Sequence, residues 1–99
     1  MTRPKHTRKD ATHRALLENA RALGMVVWDT SDIGGQVLDC VMFWRGMVLP
    51  VEIKARGPAR DFTAGEIEGM RALSSVGVQP VVAVTIDDVL SAFARMEAA

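Results

Sequence analysis

Residues 37–54 read VLDCVMFWRGMVLPVEIK, two apolar runs separated by Arg45 and Gly46. Each run has the length and the β-branched and aromatic content of a strand, and a two-residue connection between such runs predicts a β-hairpin. Pro50 lacks an amide hydrogen, so we expect it at an edge, at a bulge, or where the strand needs no ladder bond. These residues therefore predict an antiparallel pair of strands.

Helices and further strands are predicted on both sides of this hairpin. The predicted elements are a helix over residues 10–23, strands over 25–28, 37–44 and 47–54, a helix over 63–75, a strand over 80–85 and a helix over 86–97. Asp10 is the expected N-cap of the first helix and Gly24 its end. Thr63 and Glu66 have the spacing of a capping box for the second helix. The order predicts an α/β or α+β fold, with a small mixed sheet flanked by helices.

The first predicted helix has one apolar face. At 100° per residue, Leu16, Ala20 and Leu23 share that face, and His13 falls beside it. Glu18 falls almost opposite, so we expect it in solvent and do not include it among the site residues.

Composition predicts one domain over residues 1–99 with a basic N-terminal arm at about 1–9. The formal net charge is zero, so overall charge gives no argument for nucleic-acid binding. The lone cysteine, Cys40, excludes a disulfide within the chain and suits a buried thiol in a reducing compartment. We see no signal peptide and no apolar stretch long enough to span a membrane, so we expect a cytoplasmic protein without a membrane partner.

Asp39 is the one charged residue in the first apolar run, where an uncompensated carboxylate is costly. Glu52 and Lys54 are separated by one residue and therefore point to the same face of a strand. If Trp44 faces Met47 across a two-residue turn, the register places Asp39 opposite Glu52, with Cβ atoms about 4.5–5.5 Å apart. A bulged turn would shift the register and stagger the pair.

Two carboxylates at that separation repel each other unless a cation lies between them. Oxygen ligands suit Mg²⁺ or Mn²⁺, and a neighbouring ammonium group can stabilise charge on a phosphoryl group. The set Asp39, Glu52 and Lys54 therefore predicts metal-dependent hydrolysis of phosphodiester bonds. The structural alternative is that Glu52 and Lys54 are ordinary exposed strand residues and that Asp39 pairs with an arginine.

The pattern resembles the PD-(D/E)XK nuclease superfamily, and within it the VRR-NUC-like and Holliday-junction-resolvase-like proteins of phages. The segments that carry the resemblance are residues 9–13 (KDATH), 29–31 (DTS), 34–39 (GGQVLD), 51–54 (VEIK) and 62–66 (FTAGE). It covers residues 7–93. Two positions depart from the family pattern: Leu38 stands where proline is common, and Glu66 stands where glutamine is common.

The resemblance implies a restriction-endonuclease-like core of order αβββαβ with an added helix. It also implies a metal ion held by Asp39, Glu52 and the Ile53 carbonyl, with Lys54 as the catalytic lysine and Glu66 as an auxiliary residue. The implied activity is a metal-dependent endodeoxyribonuclease on DNA, with branched and phage DNA as candidates. The implied assembly is a homodimer without a small-molecule cofactor.

Residues outside this set are candidates for binding nucleic acid. They are Arg8, Lys9, His13, Arg56 and Arg60. Trp28 could stack on bases, but burial at the end of a strand is the favoured interpretation. Two other classes of function stay open: a non-catalytic nucleic-acid-binding module with the nuclease fold, and a small interaction protein. The second leaves Asp39 and the basic arm unexplained.

Overall fold

The computed structural model describes residues 7–55 and 62–99 of the chain. The helices are α1 (Thr7–Ala22), α2 (Ala64–Ser75) and α3 (Ile86–Ala98), and the strands are β1 (Val26–Asp29), β2 (Cys40–Trp44), β3 (Met47–Ile53) and β4 (Val81–Ala83). The fold is a small α+β arrangement with one mixed sheet. The predicted number, type and order of elements are confirmed.

The sheet has the strand order β1-β2-β3-β4. The first three strands are antiparallel neighbours, and β4 pairs with β3 in parallel. Trp44 pairs with Met47 and Cys40 with Val51, so the predicted register of the hairpin is confirmed. Pro50 lies inside the sheet and not at its edge, because it pairs with Val41 on β2. On the other side of β3, the pairing with β4 starts only at Val51, so Pro50 has no partner on β4.

The β2–β3 turn fixes this register. Arg45 and Gly46 have φ angles of 53° and 77°, the pair of positive values that a type I′ hairpin turn requires. Positive φ is unusual for arginine. The Arg45 guanidinium lies over the Trp44 ring, 4.2 Å from its centroid, and 3.6 Å from a carboxylate oxygen of Glu97. The Arg45 side chain therefore has two contacts while its backbone adopts the conformation that the tight turn requires.

One face of the sheet is covered by α1 and α3. The buried apolar side chains of this layer are Leu16, Leu17, Ala20, Met25, Val27, Cys40, Met42, Leu49, Val51, Ile53, Ala83, Val89, Ala92 and Phe93. Alternate strand residues point to the opposite face, which we call the open face. On β1, β2 and β3 its side chains are Val26, Trp28, Val41, Phe43, Val48, Pro50 and Glu52. Three of these are half exposed or more: Val26, Trp28 and Val48.

Some expected details are corrected by the structure. Helix α1 begins at Thr7, so Asp10 lies inside the helix rather than capping it, and the basic arm is helical from Thr7 onward. Strand β2 begins at Cys40, so Asp39 precedes the strand. Leu23, expected on the buried face of α1, is 48% exposed because the helix has already ended. No helix of the described residues has the length and apolar character needed to cross a membrane.

Candidate metal and phosphodiester site

Asp39 and Glu52 follow the last paired residues of the β2–β3 hairpin. Cys40 pairs with Val51, and Asp39 and Glu52 are the next residues beyond them on the two chain segments. The Asp39 Oδ2 atom accepts a hydrogen bond from the Ile53 amide at 2.7 Å. On its other side, the Asp39 carbonyl accepts a hydrogen bond from the Thr30 amide at 2.9 Å. The Asp39 carboxylate thus provides a hydrogen-bond acceptor for β3 one residue before β2 begins.

Glu52 is a fully buried carboxylate. Its relative exposure is 0%, and within the described part of the chain neither Oε1 nor Oε2 accepts a hydrogen bond. Among the residues that the structure describes, Lys54 pairs with it, and the Lys54 Nζ lies 3.5 Å from Oε2. An ion pair at that length is a weaker contact than a charge-assisted hydrogen bond, which is typically about 2.7–2.9 Å long. Burial of this group is therefore only partly compensated.

Lys54 is held between two carboxylates. Its ammonium group lies 3.2 Å from Glu66 Oε1 as well as beside Glu52, and the residue is 8% exposed. The Phe62 ring covers it, with the centroid 4.9 Å from Nζ. The result is a cationic group in a shielded position next to the buried acid.

Helix α2 delivers Glu66 to this cluster through its N-terminal cap. The Thr63 hydroxyl accepts from the Glu66 amide at 3.1 Å, and Glu66 Oε1 accepts from the Thr63 amide at 3.0 Å, which confirms the predicted capping box. The same Oε1 atom accepts from Lys54. One carboxylate oxygen therefore both caps the helix and fixes the lysine.

The charge states of the acids follow from this arrangement. Burial raises the pKa of Glu52 to about 8, and the neighbouring carboxyl groups of Glu66 and Asp39 add to the effect. Burial also acts to raise the pKa of Glu66, but the adjacent Glu52 acid and hydrogen bonds from the Thr63 amide and Lys54 outweigh it, so the pKa of Glu66 is lowered. Glu52 is therefore the protonated partner of the two near neutral pH.

A close backbone contact joins α2 to the segment before Asp39. A Cβ atom at Gly65 would lie 2.6 Å from the Gly35 carbonyl oxygen, and one at Gly69 would lie 2.0 Å from the Gln36 carbonyl oxygen. Both distances are too short for a side chain, so only glycine allows this approach. We call this contact, between Gly65 and Gly69 on α2 and residues 35–36, the glycine seat. Helix propensity predicts only that these glycines weaken the helix. Their four-residue spacing places both on one face of α2, and this spacing is the feature of the sequence that could have indicated a close contact there.

His13 is not brought to the carboxylate pair by the contacts that the structure describes. Its Nε2 atom lies 3.2 Å from Asp29 Oδ1 at the end of β1. Asp29 pairs with Cys40, and so belongs to the face of the sheet that α1 and α3 cover. Ser31 donates to the same Asp29 oxygen from both its amide and its hydroxyl. Burial acts to raise the pKa of Asp29, but these hydrogen bonds and His13 lower it.

The remaining candidates divide by position. Arg56 and Arg60 lie outside the described residues, as do the side chains of Arg8 and Lys9. Glu18 is exposed on α1, as predicted. Cys40 is buried, and burial raises the pKa of its thiol to about 12, so it is no nucleophile at neutral pH.

The fit of a divalent metal ion rests on the Glu52 oxygens, which accept no hydrogen bond within the described residues. Within residues 7–55 and 62–99, no group of three or more His, Cys, Asp and Glu side chains is arranged to hold a metal ion. The set implied by the resemblance has only two carboxylates, with the Ile53 carbonyl as third donor. Two buried carboxylate oxygens without hydrogen bonds, next to Asp39, nevertheless have the chemistry that Mg²⁺ or Mn²⁺ requires. Asp39, Glu52 and the Ile53 carbonyl therefore supply the oxygen ligands that Mg²⁺ or Mn²⁺ prefers.

Comparisons with models of protein families, with curated proteins and with solved structures found no significant match. The resemblance to the PD-(D/E)XK nucleases therefore stays a prediction from the motif residues.

Proposed function

We propose that this protein is a metal-dependent endonuclease that hydrolyses phosphodiester bonds in DNA. The observation that supports it most is the buried Glu52 carboxylate, whose two oxygens accept no hydrogen bond within the described residues. A buried acid whose oxygens accept no hydrogen bond is costly to the fold even when it is protonated, so its presence favours a functional role. Asp39 lies at the next register position, and Lys54 supplies a cation beside Glu52.

The metal site of the proposal consists of Asp39, Glu52 and the Ile53 carbonyl. A divalent ion bound there would polarise the phosphoryl group and lower the pKa of a water ligand. Asp39 is held for this role by the Ile53 amide, which orients its carboxylate across the end of β2. Glu52 would give up its proton to serve as a ligand, since metal-binding carboxylates must be ionised.

Lys54 is the residue proposed to act on the phosphate. Its ammonium group can donate to a phosphoryl oxygen and so stabilise the negative charge that develops during hydrolysis. The contact with Glu66 restrains the lysine side chain, which lowers the entropy lost when it binds the substrate. Glu66 is thus a positioning residue in this proposal.

We propose also that the sheet and helices form a restriction-endonuclease-like core. The order of elements and the antiparallel β1-β2-β3 meander with a parallel β4 support this proposal. DNA is the proposed partner. Two copies would act together as a homodimer, since one site of this kind cuts one strand at a time.

Cleavage assays on defined DNA substrates test the function. Linear duplex, nicked duplex and a four-way junction are incubated with and without Mn²⁺, using the parent, Asp39→Asn and Asp32→Asn. Asp39→Asn should lower the rate at least about 100-fold, because it removes a ligand's charge. It should leave the fold intact, because asparagine can still accept from the Ile53 amide.

Asp32 is the matched control, an exposed aspartate on the polar segment before Asp39. Asp32→Asn should cut as the parent does. Equal cleavage by Asp39→Asn and the parent would make Asp39 a structural residue. If the parent binds DNA but neither cuts it nor melts at a higher temperature with Mn²⁺, the protein is a non-catalytic binding module.

A further inference from the structure

The open face carries an exposed tryptophan close to the candidate site. Trp28 on β1 is 61% exposed, although its place at the end of a strand predicted burial. That prediction is wrong because neither α1 nor α3 covers this face. The Trp28 ring meets Phe43 edge to face, with centroids 4.8 Å apart, so the indole has a fixed neighbour and one free flank.

The register places Trp28 near Asp39, the closer of the two acids. Trp28 pairs with Val41, which is two residues from Asp39 on the same side of the sheet. One strand spacing and two residues of rise separate the Cα atoms of Trp28 and Asp39, a distance of about 8 Å. Neighbouring nucleotides of one strand can therefore occupy the indole and the acid pair at the same time.

The surroundings of Trp28 favour a nucleobase over a protein partner. The open-face side chains beside it, Val26, Val41, Phe43 and Val48, are uncharged, as a stacking surface requires. A protein packed on this face would also crowd the end that carries Asp39 and Glu52. Arg21 donates to the Val27 carbonyl at 3.0 Å, which brings a guanidinium group to the backbone of β1. Such a group offers further N–H donors to a phosphate.

We propose that the Trp28 indole is a stacking platform for an unpaired nucleobase of the strand that is cut. This inference rests on the proposed nuclease function and narrows its substrate to DNA with unpaired bases at the site. Bases inside a regular duplex cannot present a face to the indole, whereas single strands, flaps and junctions can. Open sheets with exposed aromatic side chains bind single-stranded nucleic acids in this manner.

Binding of short oligonucleotides tests the proposal. The probes are a ten-residue oligothymidylate and a blunt ten-base-pair duplex, titrated in the presence of EDTA so that nothing is cut. The variants are Trp28→Ala and Trp28→Phe, with Val26→Ala as the matched control, since Val26 is an exposed residue of the same strand and face. Affinity is measured by fluorescence anisotropy, and quenching of tryptophan fluorescence reports contact with the indole.

Trp28→Ala should bind the oligothymidylate about tenfold more weakly, while duplex binding changes less than about twofold. Trp28→Phe should recover most of the loss, because a phenyl ring still stacks. Val26→Ala should bind both probes as the parent does. The oligothymidylate should quench the parent more than Trp28→Ala.

Unchanged oligothymidylate binding by Trp28→Ala, or an equal loss with both probes, overturns the stacking platform. A parent that sediments as a dimer and becomes a monomer on Trp28→Ala shows that a second copy covers the face instead. If the parent still cleaves DNA in either case, only this inference fails. A parent that neither binds nor cuts DNA refutes the proposed function itself.

Discussion

Glu52 links the stability of the protein to pH. Its pKa in the folded protein is raised from 4.5 to about 8, so the folded state binds a proton that the unfolded state has already released in this range. The free energy of unfolding should therefore fall as pH rises from about 5 to 8, by roughly 3–4 kcal/mol. The lowered pKa of Glu66 acts in the opposite direction, but only at pH values below the ordinary pKa of a glutamate. Thermal melts of the metal-free protein at closely spaced pH values measure the slope.

Glu52→Gln is the informative variant, because glutamine keeps the shape and cannot titrate. Its melting temperature should be nearly constant between about pH 5 and 8, while the parent's declines. Mn²⁺ should stabilise the parent more at about pH 8 than at about pH 6, since the ion competes with the Glu52 proton. A parent whose melting temperature stays as constant as that of Glu52→Gln would show that Glu52 is already ionised at the acid end of this range.

The glycine seat decides how closely α2 packs against the segment that leads to Asp39. Gly69→Ala replaces a helix-weakening residue and would stabilise an isolated helix by about 1 kcal/mol. In the protein its Cβ would lie 2.0 Å from the Gln36 carbonyl oxygen, which forces the two backbones apart. We expect a net loss of about 2 kcal/mol, close to the usual cost of overpacking. Chemical denaturation measures the difference.

Ser74→Ala is the control, an exposed position of the same helix that should gain slightly from alanine. Cleavage should also fall in Gly69→Ala, because the seat joins the helix that bears Glu66 to the segment that leads to Asp39. A Gly69→Ala protein as stable as the Ser74→Ala control would mean that α2 is free to move away from residues 35–36.

The elements that could be predicted from sequence are those with local causes. Arg45-Gly46 marks a two-residue turn and so fixes the pairing of Trp44 with Met47, and Thr63 marks the start of its helix through the capping box. Features set by distant contacts could not be predicted. Whether Trp28 is buried depends on which face of the sheet receives helices, and the cost of a side chain at Gly69 depends on a loop that is remote in the chain.

In the candidate site, too, local contacts could be predicted from sequence and distant ones could not. Asp39 and Glu52 lie on one hairpin, so their proximity follows from the turn between them. The contact of Lys54 with Glu66 spans two elements, so local pattern does not predict it, and only the family resemblance points to Glu66. Helical periodicity places His13 beside the buried face of α1, and the structure pairs it with Asp29 there. That partner lies on β1, which a helical pattern does not reveal.

The charges of the twelve basic and twelve acidic residues cancel, so DNA binding must depend on where these residues lie. We expect the triple variant Lys5→Ala, Arg8→Ala, Lys9→Ala to weaken duplex binding. The slope of log K against log salt concentration should become shallower by about 0.9 for each phosphate that the arm no longer neutralises. Titrations at NaCl concentrations from about 50 to 200 mM measure the slopes of the parent and the variant.

Glu18→Ala, Asp32→Asn and Glu97→Gln provide a comparison in which exposed charges change away from the N-terminal arm. Those substitutions should leave the salt slope within error of the parent's. If the arm variant keeps the parental slope, the arm touches no phosphate and the residues that do so lie elsewhere in the chain.

The type I′ turn at Arg45 and Gly46 has a consequence for how the sequence can change over evolution. One residue inserted there would slide β3 by one position and exchange its two faces. Val51 and Ile53 would leave the core, while Glu52 and Lys54 would enter it. The turn is exposed and lies at the opposite end of the hairpin from the acids, yet its length cannot change without moving them out of place. Libraries of random insertions should return active clones at many surface loops, and none at residues 45–46.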